Sequence, residues 1–235
     1  MIHFEAIHKK FGRKEVLKGV SVQLDEPGIY AVLGPNGSGK TTLIKCLMGL
    51  VKPDKGHIEF MHHRIKGDEY RRQIAYLPQI ARFPENLTTI EFLQLIEKLR
   101  GKAERREELM DYFQLEEYRY QTLRQLSGGT RQKINLTAAL MYNTKTIVLD
   151  EPTIGLDPVA LLRLKDWLRK ERRSGKMILI TTHVMDLVQE LAGQIVFILE
   201  GKVYYHGNQE NLFTKTGTPD VEHAIAKILT QKEAV

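Results

Sequence analysis

Two things are scarce in this chain: cysteine and long apolar runs. Cys46 is the only cysteine among 235 residues, which excludes an intrachain disulfide framework and favours the cytoplasm as the compartment. The longest apolar runs, such as residues 195–199, are far shorter than the roughly 20 residues of a membrane-spanning helix. The first residues lack the basic stretch and apolar core of a signal peptide, so we expect none.

The chain also lacks long stretches in which all charged residues have the same sign. The net charge is +6, but basic and acidic residues are mixed, as in residues 100–108 and 169–173. No array of arginines and aromatic rings suited to base stacking is present, and basic charge alone attracts nucleic acid without specificity. We therefore expect no direct nucleic-acid binding.

Short apolar runs alternate with helical patterns along much of the chain. Residues 29–33, 146–149, 177–181 and 195–199 are typical of buried strands. Residues 88–120 are instead charged and helical, with one apolar face. Strands that alternate with helices favour crossover connections, so the sequence predicts a parallel α/β core with a helical insertion.

A glycine-rich segment follows the first of these runs. Residues 34–41 match the pattern G-x-x-x-x-G-K-[ST], in which backbone N–H groups and a helix N-terminus surround phosphates. Lys40 is expected to reach the β- and γ-phosphates of ATP and to act in catalysis, and Thr41 to bind Mg²⁺. The predicted nucleotide-binding residues of this segment are Asn36, Gly37, Ser38, Gly39, Lys40, Thr41 and Thr42.

A second apolar strand, residues 146–149, ends in two carboxylates. We expect Asp150 to hold Mg²⁺, directly or through water. Glu151 is suited to orient and polarise the attacking water, which makes it a candidate catalytic residue. Two carboxylates at a strand end are weak evidence for nucleotide hydrolysis by themselves. Together with the glycine-rich segment they are strong evidence.

Residues 126–133, LSGGTRQK, resemble the LSGGQ signature of ABC ATPases. The resemblance covers roughly residues 2–210, and the chain has other landmarks of that family in the expected order. Before the signature are Phe11, similar to the aromatic that stacks on adenine, and Gln79, similar to the Q-loop glutamine. After it are residues 155–158, similar to the D-loop, and His183, similar to the switch histidine. Thr130 departs from the signature's usual glutamine, and Phe11 replaces the commoner tyrosine.

The resemblance implies a shared site between two copies of the chain. In this family two chains dimerise head to tail, so that each ATP lies between one chain's Lys40 loop and the other chain's Ser127, Gly128 and Gly129. It further implies that His183 contacts the γ-phosphate as a catalytic residue and that Gln79 is a ligand of Mg²⁺.

The fold implied is α/β: a P-loop NTPase core with a mixed, mainly parallel sheet, an antiparallel β subdomain and an inserted helical subdomain. We place the RecA-like ATP-binding core and its antiparallel β subdomain in residues 1–79 and 135–215. The helical signature subdomain would span residues 80–134, and a short C-terminal helical tail residues 216–235.

The function implied is that of the ATP-binding and hydrolysing subunit of an ABC transporter. Separate membrane-spanning permease subunits would dock on the helical region of residues 83–100, which places the chain on the cytoplasmic face of the membrane. Residues 219–225 resemble the C-terminal helix of exporter-type subunits, and residues 80–88 resemble the ATPase of the Nos copper-processing system.

Two other classes stay open at this point. A soluble ABC ATPase, such as one acting in iron–sulfur assembly, would share the motifs but have no membrane partner. A P-loop kinase or GTPase of another class would make the signature and His183 coincidental.

Overall fold

The computed structural model describes residues 1–80 and 84–233. The strands, in chain order, are β1 (Ile2–Phe11), β2 (Lys14–Leu24), β3 (Gly28–Leu33), β4 (Lys55–Phe60), β5 (His63–Arg64), β6 (Ile74–Leu77), β7 (Thr146–Asp150), β8 (Met177–Thr182), β9 (Gln194–Leu199) and β10 (Lys202–Asn208). The α-helices are α1 (Lys40–Leu47), α2 (Thr89–Arg100), α3 (Arg106–Tyr112), α4 (Gly128–Leu140), α5 (Pro158–Arg173), α6 (Met185–Leu191), α7 (Gln209–Thr216) and α8 (Val221–Glu233). Among the described helices, none has the length and apolar character needed to cross a membrane.

The chain forms two compact units. Unit 1 combines Met1–Tyr70 with the chain from Met177 onward, and unit 2 is Arg71–Lys176. Unit 2 therefore holds the helical stretch expected at residues 80–134 together with β7 and α5. The three domain boundaries drawn from the sequence stay predictions.

Unit 1 contains two groups of paired strands. The first is antiparallel, in the order β2-β1-β4-β5, and Ile2 lies opposite both Leu24 and Phe60. In the second, β3 pairs in parallel with β8 and β9, while β10 runs antiparallel to β9. Because parallel strands end at the same edge, the loop after β3 and the turn after β8 begin side by side, with Leu33 opposite Thr182.

The hydrophobic core of unit 1 lies between its parallel strands and its last three helices. Strand residues such as Leu33 and Phe197 are fully buried there. Val188 of α6, Leu212 of α7 and Ala224 of α8 pack into the same cluster. The C-terminal helices are thus part of this core and do not form a loose appendage.

Unit 2 is built from a short parallel pair and helices. Leu77 of β6 lies opposite Leu149 of β7, so the segments that follow both strands leave from one edge. Trp167 of α5 is buried, with its ring 5.2 Å from the Tyr112 ring of α3. Aromatic packing of this kind fixes α5 against the helical part of the unit.

Side-chain caps mark the starts of α2 and α5 in unit 2. The Thr88 side chain accepts the Glu91 N–H, and the Glu91 carboxylate accepts the Thr88 N–H, which is the reciprocal capping box. Asp157 caps α5 by accepting the Ala160 N–H at 2.8 Å, and Pro158 occupies the first helical position. Thr88 and Asp157 are short polar residues of the kind that commonly cap helices.

Candidate active site

The segment after β3 has backbone approaches that only glycine permits. A Cβ at Gly34 would lie 2.1 Å from the Ile198 carbonyl oxygen, and one at Gly39 would lie 2.8 Å from Leu17 Cδ2. Gly37 differs, because its φ of +80° requires glycine but the space beside it is open. The loop is therefore packed from behind at Gly34 and Gly39 and open at Gly37.

Helix α1 begins at this loop with an N-terminus suited to anions. Gly39 is its N-cap and has no side chain to occupy the N–H groups of the first turn, which lack acceptors within any α-helix. Thr41 and Thr42 are both half-buried in that first turn. Asn36 lies exposed in the turn that precedes Gly37.

Lys40 and Ser38 give the loop its polar interior. The buried Lys40 ammonium donates to the Gly34 carbonyl at 2.7 Å and to the Pro35 carbonyl at 3.2 Å. Within the described residues, the buried Ser38 hydroxyl oxygen has no hydrogen-bond partner. Because buried polar groups are normally paired, this hydroxyl and the ammonium fit a phosphate-bearing ligand.

The turn between β9 and β10 supports the loop and was missed from the sequence. The Gly201 N–H donates to the Ser38 carbonyl at 3.0 Å, and the Gly201 carbonyl accepts the Lys18 N–H at 2.9 Å. A Cβ at Gly201 would lie 2.3 Å from the Val16 carbonyl oxygen. The signal in the sequence was a Glu-Gly pair directly after the apolar run of residues 195–199.

Phe11 and His183 are the other predicted site residues in unit 1. Phe11 ends β1 with half of its surface exposed, and the Lys9 ammonium lies 5.5 Å from its ring centroid. His183 is exposed in the turn after β8. The glycine-rich loop of residues 34–41, called the phosphate loop below, begins at the same sheet edge. Val184 donates its N–H to the Thr182 hydroxyl at 3.0 Å, which shapes that turn.

Asp150 and Glu151 end the buried strand β7 in unit 2. Both are almost completely buried, and Glu151 has a φ of +51°. A left-handed backbone at a residue other than glycine costs about 1–3 kcal/mol and is concentrated at functional sites. Burial, with a smaller contribution from the charge of Asp150, raises the pKa of Tyr76 to about 12.

Gln79 follows β6 and leads toward the signature. It is exposed, two residues after Leu77. Farther along, Leu123 donates its N–H to the Leu87 carbonyl at 2.9 Å and Arg124 donates to the Glu85 carbonyl at 3.1 Å. These backbone bonds join the segment after Gln79 to the one immediately before the signature.

The signature forms the N-terminus of α4. Ser127 is its N-cap, accepts the Thr130 N–H at 3.1 Å, and is exposed together with Gly128. The Thr130 side chain, the departure from the family pattern, lies buried with its hydroxyl 2.9 Å from that of Ser127. A Cβ at Gly129 would lie 2.9 Å from the Gly155 carbonyl oxygen, so glycine allows the signature to contact the predicted D-loop.

Comparison with known proteins agrees with this arrangement. A family model described as ABC transporter matches residues 17–154. The daunorubicin resistance ATP-binding protein DrrA3 of Streptomyces coeruleorubidus is 34% identical over 92% of this chain and 71% of its own length. The linearmycin resistance ATP-binding protein LnrL of Bacillus subtilis is 32% identical over 92% of this chain and 72% of its own. A solved ATP-binding subunit of an ABC transporter, 26% identical, matches with a TM-score of 0.90 over 97% of this chain and 99% of that one.

Three features of the site define its class as the P-loop ATPases with a signature helix. They are a phosphate loop after a buried strand, an acidic strand end and a glycine-rich helix start capped by serine. The chain belongs to the ABC transporter family. It is an ATP-binding subunit of such a transporter and an ATPase, as the sequence predicts. The predicted fold class is also confirmed.

Other expectations are not tested by these comparisons. The roles of the individual site residues stay predictions, although unit 1 brings the phosphate loop and His183 to one sheet edge. The resemblance to the Nos ATPase and the docking region at residues 83–100 depend partly on residues 81–83, which lie outside the described residues.

Proposed function

We propose that this chain powers an exporter by hydrolysing Mg·ATP in a head-to-tail dimer, with separate permease subunits in the membrane. The observation that carries the proposal is the exposed N-terminus of α4, where Ser127 and Gly128 face outward. This is a second helix start suited to phosphate, yet the chain has a single phosphate loop. A second copy of the chain would provide the phosphate that this helix lacks.

The residues of unit 1 would bind the triphosphate. Phe11 would stack on adenine, and the backbone of residues 36–42 would enclose the phosphates. The Lys40 ammonium, which here donates to the Gly34 and Pro35 carbonyls, would donate to the β- and γ-phosphates, and the Ser38 hydroxyl would gain a partner there. His183 would donate a hydrogen bond to the γ-phosphate from the neighbouring strand end.

Thr41 of unit 1 and two residues of unit 2 are the proposed metal ligands, and unit 2 would also supply the base. We assign Mg²⁺ binding to Thr41, Gln79 and Asp150, whose hydroxyl, amide and carboxylate oxygens are ligands that this ion prefers. When bound, Mg²⁺ neutralises charge on the phosphates. Glu151, held in its strained backbone conformation, would accept a proton from the attacking water.

The names of two relatives support export. DrrA3 is named for resistance to daunorubicin and LnrL for resistance to linearmycin, which is consistent with outward transport. They do not favour an iron–sulfur assembly ATPase. The chain would then lie on the cytoplasmic face of the membrane and contact its permease through the helical part of unit 2.

Glu151→Gln tests the assigned chemistry. The variant keeps the volume and most polar contacts but cannot accept the proton, so we expect ATP binding to persist and turnover to fall by about 100-fold or more. The unhydrolysed ATP should also hold the dimer closed, which size-exclusion chromatography with ATP would detect.

The matched control is Glu108→Gln, which neutralises an exposed carboxylate that pairs with Lys170 in the same unit. It should behave like the parent protein. Parental turnover by Glu151→Gln would show that another group activates the water.

A further inference from the structure

The short helix that follows His183 is held by the C-terminal part of the chain. Helix α6 starts two residues after His183 and has 7 residues. A helix of this length is not stable alone in water, so its position depends on what packs against it. Any element that fixes α6 also restricts the turn that carries His183.

Gln209, the first residue of α7, caps the C-terminal end of α6. Its side-chain N–H groups donate to the Ala192 carbonyl at 2.7 Å and the Val188 carbonyl at 3.0 Å, with a longer contact of 3.3 Å to the Gln189 carbonyl. Carbonyls at the end of a helix lack most of their donors within the helix. The Val188 carbonyl also accepts the Ala192 N–H at 2.9 Å, whereas the Ala192 carbonyl lies beyond the last helical residue. One primary amide has the two hydrogens needed for two such bonds.

Helix α8 holds α6 along its side. The Val221 N–H donates to the Gln189 side-chain oxygen at 3.1 Å, so α6 in turn caps α8. Val221, Ala224 and Ile225 are buried in the cluster that contains Val188. Burial of these apolar side chains contributes most of the attachment.

The start of α6 receives less support from side chains. Its N-cap is Val184, whose side chain cannot accept a hydrogen bond, and the contact at this end is the Val184 N–H to the Thr182 hydroxyl. Met185, next along the chain, packs against the same C-terminal cluster. The C-terminal end of α6 is thus bonded to α7, and the helix packs on a cluster that the strands share with α7 and α8.

We infer that Gln209 is a positioning residue for His183: by capping α6 from α7, it fixes the turn that places the imidazole at the γ-phosphate. This inference rests on the role proposed above for His183. Gln209 itself does not touch nucleotide. Its loss should therefore lower the rate of hydrolysis without weakening ATP binding.

The test is Gln209→Ala in the full chain. We expect kcat to fall by about 3- to 10-fold, a part of the usual contribution of a positioned catalytic side chain. The affinity for a fluorescent ATP analogue should stay parental. Amide hydrogen exchange should accelerate across residues 184–192 and remain unchanged in α1.

Two further variants separate positioning from a general loss of structure. Thr214→Ala lies on the same helix and removes an exposed hydroxyl bonded only within α7, at 2.9 Å to the Glu210 carbonyl, so it should be parental. Gln209→Lys supplies an ammonium that can donate to the same carbonyls at a helix C-terminus, and it should restore most of kcat.

A double-mutant cycle with His183→Ala shows whether the effect passes through the histidine. If it does, Gln209→Ala causes no further loss in the His183→Ala background. An equal fold loss of kcat in both backgrounds would overturn this inference and leave the proposed function intact. Parental kcat or parental hydrogen exchange in Gln209→Ala would do the same. Parental hydrolysis by His183→Ala would instead contradict the proposed role of His183, and this inference with it.

Discussion

Single residues carry the adenine end of the proposed site. Phe11 is one of the few large apolar side chains of the described residues with half of its surface exposed, and it ends a strand next to Lys9. An exposed ring contributes little to folding, so its role is expected to be in binding. The role proposed for Phe11 is to stack on adenine.

Phe11→Ala should raise the KM for ATP by about 2- to 10-fold, since stacked aromatic pairs contribute about 0.5–1.5 kcal/mol beyond their buried area. The kcat should change little, because adenine and the γ-phosphate are at opposite ends of ATP. Phe11→Tyr keeps the ring and should retain the parental KM. Steady-state ATPase assays measure both constants.

Leu50→Ala removes another exposed apolar side chain of unit 1 and serves as the control. An unchanged KM for Phe11→Ala would mean that adenine binds elsewhere.

The sequence predicted residues whose role belongs to a local motif, and it missed those whose role depends on distant contacts. Lys40 and Asp150 could be proposed from the sequence because each motif is continuous in the chain, and their roles stay predictions. Gly201 could not, because its partners Val16, Lys18 and Ser38 become neighbours only after folding. Gln209 was hidden for the same reason, since the carbonyls that it caps lie 17 to 21 residues before it.

Among the elements, the signature helix and the start of α5 are joined within unit 2. The Gln132 amide donates to the Pro152 carbonyl at 3.2 Å, and Gly129 lies against Gly155. Helix α4 is therefore in direct contact with the predicted D-loop and the residues before it. These contacts link the surface that would meet a second chain to the segment that follows Glu151.

The Asp157 cap is the testable part of this connection. Asp157→Ala removes the acceptor for the Ala160 N–H and should lower the free energy of unfolding by about 1 kcal/mol. Urea unfolding followed by circular dichroism measures the change. Asp166→Ala, an exposed change in the middle of α5 that breaks only an ion pair with Arg169, should cost less than about 0.5 kcal/mol.

Equal losses for the two variants would show that the cap does not stabilise α5.

The periodicity of the sequence predicted the buried strands well and the end of the chain less well. Strands β3 and β7 are continuous apolar runs and lie where they were expected. Strand β10, Lys202–Asn208, was missed because its sequence, KVYYHGN, is largely polar and is stabilised by pairing with β9. Val203, Tyr204 and Tyr205 favour a strand locally, but three residues are a short signal, and pairing with β9 extends the strand over Lys202–Asn208.

At the scale of the whole molecule, the account depends on a site shared by two chains. Each chain would contribute a phosphate loop to one ATP and a Ser127 helix to the other. Ligand contacts across such an interface favour the closed dimer, so ATP binding and hydrolysis would move the chains between closed and open states. That movement would be passed to the permease.

Mixing two inactive variants tests this claim most directly. Lys40→Ala disables the phosphate loop, and Ser127→Arg blocks the signature while leaving ATP binding intact. In a head-to-tail heterodimer both defects fall in one site, and the other site combines the intact Lys40 loop of one chain with the intact Ser127 of its partner. With a shared site, the mixture should hydrolyse ATP well above the sum of the separate variants. A mixture no more active than that sum would contradict the shared site.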